Sequence, residues 1–374
     1  MGLEVGVDSA IVTVTSGAVV TTDAGDRFAL DHADRVTVLA RPRGLVVREW
    51  PERPAYRRIT LSPRRATVPA LSVGDRLYRG TVEFVEGESG LSVVNVLPVE
   101  EYLPGVVGAE LGRGRGELAA LEAQAVASRT YVLRNMGRFA ALGFDVRAGT
   151  SDQAYLGVAA ESGVVVRAVR ATRGEVAVHD GELIHAFFHS TCGPVTASPT
   201  EAYRSVRPEP YLQPVSDARP GGGYYSDGSP WFAWTTTWSG PELQATLRRW
   251  LPRVVGIDPT TLDTLRDIYI VHHGPSGRAT ELRVVVSGGE IPVFGPDIRN
   301  VLRRSDGSGL PSTLFRLEVE RADGQVSRLT ATGSGYGHGV GLCQWGAIGR
   351  ARAGYDYRDI VGTYYQGAVI ERWY

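Results

Sequence analysis

The chain is predicted to be an α+β protein: a β-rich core with a few helices bounding a groove, plus an inserted smaller lobe. Three observations carry that prediction. Short β-branched runs separated by Gly, Pro and Asp fill residues 1 to about 97, the pattern of an antiparallel region. An Ala-rich segment from residue 117 to about 141 holds no Gly or Pro before Gly137, as a long helix requires. Residues 196 to about 228 are rich in Pro, Gly and Tyr, the composition of an irregular excursion.

The first strands are expected at 10–15, 35–40, 44–48, 80–85 and 91–97. The pattern changes at Pro98. Proline is tolerated in a helix only in the first turn, so Pro104 predicts a short helix over 101–110. A Gly- and Arg-rich loop, 112–116, leads to the Ala-rich helix. Strands are then expected at 163–169, 175–179, 183–189 and 231–238, and a helix at 240–251. A β-pair is expected from 268–271 and 281–286 around the turn Gly274-Pro-Ser-Gly277. Two helices close the chain: 344–353, stopped by Gly354, and one N-capped by Asp356 with Asp359 three residues on. The organisation read from this order is an N-terminal β-rich region (1–79), a core from 80–196 with 291–374, and an inserted lobe (197–290).

At 374 residues and 43% hydrophobic content, the chain is long enough for two or three real cores. The formal net charge of −1 argues against a nucleic-acid partner held by bulk electrostatics. All 40 basic residues are Arg, which points to a GC-rich genome more than to a function. No apolar run is long enough to span a membrane, and the start lacks the basic and apolar regions of a signal peptide. Either the protein is cytosolic or its leader lies outside this sequence.

The segment Gly333-Ser-Gly-Tyr-Gly-His-Gly-Val-Gly-Leu-Cys-Gln-Trp-Gly346 sets polar and aromatic side chains on a backbone nearly stripped of them. If it runs extended, Tyr336, His338, Val340 and Leu342 share one face and bare glycines the other, so a bulky ligand or another strand can come close. Its glycines match neither nucleotide-binding pattern. The two cysteines, Cys192 and Cys343, each follow a histidine, His189 and His338. These four are enough for a tetrahedral zinc site, but the spacing is no standard finger, and a disulfide or two ordinary thiols fit as well.

On the short helix Tyr102, Val106 and Glu110 fall at i, i+4 and i+8, which puts the acid on an apolar stripe. An acid desolvated there suits general acid catalysis; the same spacing also fits an exposed Glu at a fraying helix end. Glu100 and Glu101 read as favourable charges at a helix start. On the long helix Gln124, Ser128 and Tyr131 line a polar edge beside small residues, as many half-buried helices do.

Tyr102-Leu-Pro-Gly-Val-Val-Gly-Ala-Glu110 followed by Leu121-Glu-Ala-Gln-Ala-Val-Ala-Ser-Arg-Thr-Tyr131 resembles the signature of the SpoIID/LytB family of bacterial cell-wall proteins. The blocks Asp152-Gln-Ala-Tyr-Leu-Gly157, Phe188-His-Ser-Thr-Cys-Gly193, Ser276-Gly-Arg278, Pro311-Ser-Thr-Leu-Phe315 and the glycine segment occur in the family's order. The resemblance runs from about residue 80 to the C-terminus and is weaker over 1–79. It implies a lytic transglycosylase acting on peptidoglycan glycan strands stripped of stem peptides. Glu110 matches the catalytic Glu. Gln124, Arg129, Gln153, His189, Ser190, His338 and Gln344 match polar positions expected to hold the sugar, with Tyr155 and Trp345 stacking on pyranose faces. Arg129 has a second reading, an ion pair fixing the Glu110 loop.

The resemblance also implies an extracytoplasmic, wall-associated protein with a leader or anchor outside this sequence, and no required cofactor. Some members instead enhance an N-acetylmuramoyl-L-alanine amidase, which would make a cell-wall amidase the partner; a glycan-binding wall protein without activity is a third form. Three departures stand out. Gly149-Thr-Ser-Asp152 replaces the Cys or His that bind zinc before the Gln-x-Tyr block of some members, Leu-Gly-Arg-Gly follows Glu110 where Met-Pro is common, and Cys343 stands where Ser is usual. The last raises the zinc set His189, Cys192, His338 and Cys343.

Overall fold

The computed structural model describes residues 1–66, 68–112, 117–203 and 206–374. Most of the Gly- and Arg-rich loop expected at 112–116 therefore lies outside the described residues. The fold is α+β and β-rich, divided into two compact units, Met1–His185 with Ile370–Tyr374, and Ala186–Val369. No helix among the described residues is long and apolar enough to cross a membrane.

The first unit begins with β1 (Gly2–Val7), β2 (Ser9–Val14), β3 (Ala18–Thr22), β4 (Arg27–Leu30), β5 (Arg35–Arg41) and β6 (Gly44–Val47). It continues with β7 (Arg58–Pro63), β8 (Leu71–Val73), β9 (Arg76–Tyr78), β10 (Thr81–Gly87) and β11 (Gly90–Val96). They form two sheets, ordered β1-β11-β10-β7-β3-β4 and β6-β5-β2-β8-β9. Period two decides which side chains face the core: Ala10, Val12 and Val14 on β2, Ile59 and Leu61 on β7, Val82 and Phe84 on β10 are all buried. Because β1, β3, β4 and β7 share a sheet with β10 and β11, residues 1–79 do not form a region separate from residues 80–96.

Helices α1 (Val99–Leu111), α2 (Leu118–Arg134) and α3 (Gly163–Ala171) pack together, with β12 (Glu175–His179) against α2. Helix α1 starts at Val99, two residues earlier than expected, and carries Pro104 in its interior. Helix α2 stops at Arg134, short of the expected end, with Asn135 as C-cap and Gly137 beyond it at φ 79°. The expected strand at 163–169 is helix α3. The Ser162 hydroxyl accepts from the Val165 amide, and burial recurs at Val165, Ala168 and Val169, a helical spacing that outweighs the strand preference of three consecutive valines.

The second unit opens with β14 (Phe188–His189), β13 being the short Glu182–Leu183 of the first. The one strand expected over 183–189 is thus two fragments. Next come α4 (Pro199–Ala202), β15 (Trp234–Ser239), α5 (Gly240–Val255), β16 (Leu265–His273), β17 (Ala279–Val286), β18 (Gly289–Phe294) and α6 (Asp297–Val301). It ends with β19 (Phe315–Ala322), β20 (Gln325–Gly333), β21 (Leu342–Cys343), α7 (Gln344–Arg352) and α8 (Tyr357–Tyr364). A reciprocal capping box between Ser239 and Glu242 starts α5. One apolar core runs from Trp234 on β15 through Leu243, Leu247 and Leu251 on α5 to Leu329 and Ala331 on β20. That continuity is why the lobe expected to end at 290 instead shares its core with residues beyond it.

Candidate functional site

Glu110 occupies the last turn of α1, half-buried, with Oε1 accepting the Ala154 amide at 2.7 Å. The two glycines of its motif explain how the helix gets there. A Cβ on Gly105 would lie 2.6 Å from the Tyr155 ring, and one on Gly108 only 1.9 Å from the Ala160 carbonyl. Bare backbone at both positions lets α1 lie directly on residues 155–160, beside Ala154.

Residues 152–155 are fastened to the helices. The buried Tyr102 hydroxyl donates to Gln153 Oε1 at 2.8 Å, and Gln153 Nε2 donates to the Ser128 carbonyl at 3.3 Å. Tyr131 donates to Asp152 Oδ1 at 2.8 Å, which Arg138 also reaches at 2.7 Å. Gln124 Nε2 donates to Ser128 Oγ at 3.0 Å within α2. The Tyr155 hydroxyl donates to Asn95 Oδ1 at 2.7 Å, and its ring packs on Tyr78 and Tyr102. Burial, then the charges of Tyr155 and Glu110, push the Tyr102 phenol well above its ordinary value, so it remains a donor.

These contacts revise the expected roles. Gln124, Gln153 and Arg129 are 0% exposed and Tyr155 3%, so none presents a surface to a sugar. The polar atoms of Gln153 and Tyr155 serve the framework that holds Ala154 against Glu110. Arg129 does not pair with Glu110 either. Its Nε and Nη2 donate to Glu100 Oε1 and Oε2 at 2.8 and 3.0 Å, and Nη1 donates to the Glu175 carbonyl at 3.0 Å. Glu100 is therefore an ion-pair partner more than a helix-start charge. Burial pushes its carboxyl up, but the hydrogen bonds and charge of Arg129, with the Tyr374 hydroxyl and the Gly174 amide, leave it below its ordinary value.

In the second unit, the glycine segment is not a regular strand. Gly335, Gly337, Gly339 and Gly341 all sit at positive φ, 88°, 107°, 86° and 70°, a conformation that side chains resist. Of the two uses foreseen for the bare face, the structure shows close approach of protein. A Cβ on Gly341 would meet the Phe187 carbonyl at 2.1 Å, and one on Gly339 the Arg278 guanidinium at 2.6 Å. Strands β14 and β21 pair in parallel, Phe188 with Leu342 and His189 with Cys343.

The two histidines differ in what their rings hold. His338 donates from Nε2 to the Phe188 carbonyl at 2.8 Å and accepts the Val340 amide at Nδ1, 3.1 Å. Burial pushes it down to about 4. His189, 4% exposed, contacts the Val340 carbonyl through Nδ1 at 3.1 Å, and its buried Nε2 has no hydrogen-bond partner among the described residues. Burial, then His338 and Arg278, push His189 well below its ordinary value, so both rings are neutral. A ring nitrogen of His189 and the sulfurs of Cys192 and Cys343 lie within 4.8 Å of one another. Three members of the expected zinc set come together; His338 is held apart by its two hydrogen bonds.

Gln344 is buried at the start of α7, Ser190 is half-buried with its hydroxyl 3.3 Å from that of Thr191, and Trp345 is half-buried. Two residues here have no role assigned from sequence. Tyr336, 39% exposed, lies against Trp231 with ring centroids 4.9 Å apart, an accessible aromatic pair. Arg278, 1% exposed, donates to the carbonyls of Cys192 and Val195 at 2.8 and 3.1 Å. The block Ser276-Gly-Arg278 in the family resemblance was its signal.

Residues 87–179 match a family model described as stage II sporulation protein, and residues 220–341 match one described as a domain of unknown function. The chain is 31% identical over 297 residues to stage II sporulation protein D of Bacillus amyloliquefaciens, covering 75% of this chain and 76% of that protein. It is 31% identical over 303 residues to an uncharacterized protein of Brachyspira hyodysenteriae, covering 78% of this chain and 72% of the other. Similarity to the amidase enhancer of Bacillus subtilis is 26% over 339 residues, 82% of this chain but 45% of that protein's length.

Proposed function

Because the chain belongs to the SpoIID/LytB family, we propose that it acts on the bacterial cell wall as a peptidoglycan lytic transglycosylase, with Glu110 as its general acid and base. In this reading Glu110 gives its proton to the glycosidic oxygen between N-acetylmuramic acid and N-acetylglucosamine. It then takes the proton of the muramoyl C6 hydroxyl as that oxygen attacks C1 and closes a 1,6-anhydro ring. One carboxyl suffices because the substrate supplies the nucleophile, unlike hydrolysis by a carboxyl pair.

The observation that carries the proposal is the seat of Glu110: half-buried, aligned by the Ala154 amide, on a block fixed by hydrogen bonds from buried Tyr102 and from Tyr131. A carboxyl positioned by its surroundings needs little reorganisation to move a proton. Action on the wall implies an extracytoplasmic location.

The test is mass spectrometry of stem-peptide-free glycan strands after incubation with wild type and Glu110→Gln. Anhydro-ended fragments from wild type alone are expected. Reducing-end fragments would mean hydrolysis and overturn the mechanism.

The similarity to the amidase enhancer favours a second reading, in which the chain stimulates a separate N-acetylmuramoyl-L-alanine amidase. That reading expects no anhydro products and full stimulation of the amidase by Glu110→Gln.

A further inference from the structure

We propose that His189, Cys192 and Cys343 form a buried metal site that takes a thiophilic divalent cation, zinc. Cys192 and Cys343 are 0% exposed and His189 4%, and their ligand atoms already lie within 4.8 Å of one another. Zinc–sulfur and zinc–nitrogen bonds of about 2.3 and 2.05 Å in a tetrahedron put the ligand atoms roughly 3.5–3.8 Å apart. Closing from the observed spread takes a shift of about 1 Å, within the reach of side-chain torsions.

The imidazole is prepared for the role. A carbonyl oxygen only accepts, so the contact with Val340 O at 3.1 Å places the proton of neutral His189 on Nδ1. The lone pair is left on Nε2, which is buried and without a hydrogen-bond partner among the described residues. A backbone carbonyl fixing the far nitrogen is the usual outer contact of a metal-bound histidine. Leaving such an acceptor unsatisfied in the interior is unfavourable, and a metal bond removes that penalty.

Cys343 is held in place by backbone contacts. It N-caps α7, and its sulfur accepts the amides of Cys192 at 3.1 Å and Gly346 at 3.3 Å. Two thiolates neutralise one divalent ion, so the loaded cluster brings no net charge into the interior. A Cys192–Cys343 disulfide would leave the His189 nitrogen as it is; the metal engages all three groups at once. Two thiolates and one imidazole leave a fourth position for a small oxygen ligand, since His338 has spent both ring nitrogens. The site would tie together segments 151 residues apart.

The experiment uses the whole chain, purified with and without zinc in the medium, and measures metal content, thiols and intact mass. Expected are about one zinc per chain after exhaustive dialysis, and two free thiols per chain once zinc is removed and the chain unfolded. Cobalt(II) in place of zinc is expected to give thiolate charge-transfer absorption and the visible bands of a tetrahedral ion, both lost in Cys192→Ser and in Cys343→Ser. Adding zinc chloride to the metal-free wild type is expected to raise Tm by several degrees, a reading independent of any variant. A mass lower by two hydrogens with no thiols after unfolding would identify a disulfide and overturn the proposal. Free thiols with neither retained zinc nor a zinc-dependent Tm would overturn it equally.

Discussion

Replacing Glu100 by Gln is predicted to destabilise the first unit by about 3 kcal/mol at neutral pH. The guanidinium of Arg129 is 0% exposed and the Glu100 side chain 14%, and two charge-assisted hydrogen bonds of 2.8 and 3.0 Å join them. Removing one partner of a buried pair costs about 3–5 kcal/mol, because the other charge stays buried without compensation. The lower end applies here: Gln keeps an acceptor in place, and the carbonyls of Glu175 and Val169 still take Arg129 protons. For a unit of this size the loss corresponds to a Tm lower by roughly 6–12 °C.

The same pair sets a pH dependence. The folded carboxyl titrates below its unfolded value of 4.5, so the contribution is fully present above that pH and is lost as pH falls through the lower folded value. Urea unfolding of wild type and Glu100→Gln should therefore differ most near pH 7 and converge as the pH falls below 4.5. A difference below about 0.5 kcal/mol at pH 7, or one that grows on acidification, would refute the argument.

Gly108→Ala is predicted to cost about 2–3 kcal/mol and to lower glycan cleavage more than thermal stability alone explains, since the new methyl strikes the Ala160 carbonyl and lifts Glu110 away from Ala154. Activity measured well below the variant's Tm checks this. Tyr155→Phe is predicted to lose about 1–2 kcal/mol by leaving the Asn95 oxygen without its donor, with no change in glycan affinity. Binding to purified glycan strands alongside a thermal melt separates the two effects; weakened binding at unchanged stability would return Tyr155 to the sugar site.

The fold is legible in the sequence where one local signal dominates. Short β-branched runs mark β2 and β10, and Asp356 with Asp359 three residues on marks the start of α8. It is obscured where two signals compete. Three valines in a row outweigh Ser162 in a reading by propensity, although one hydroxyl at an N-cap sets the backbone and the valines then pack at helical spacing. The candidate site shows the same limit. Motif resemblance locates Glu110 and the block containing Ala154, but a polar residue in a motif reads alike whether it meets a sugar or the backbone. Gln153 and Arg129 are told apart only by burial and by partners distant in sequence.

The glycine segment raises a problem that its composition alone does not solve. Four glycines at positive φ give the backbone its path, yet they contribute no side chain to a core and lose more entropy on ordering than any other residue. Something else must fix the path. Arg278 supplies part of it: the guanidinium fills the space that a Cβ on Gly339 would occupy and ties the carbonyls of Cys192 and Val195. His338 adds a clamp between Phe188 and Val340. Both act on the middle of the segment, leaving its junction with α7 to Cys343, whose sulfur already gathers the amides of Cys192 and Gly346. A metal shared with Cys192 and His189 would lock that junction to β14, which is where a backbone poor in side chains most needs a cross-link.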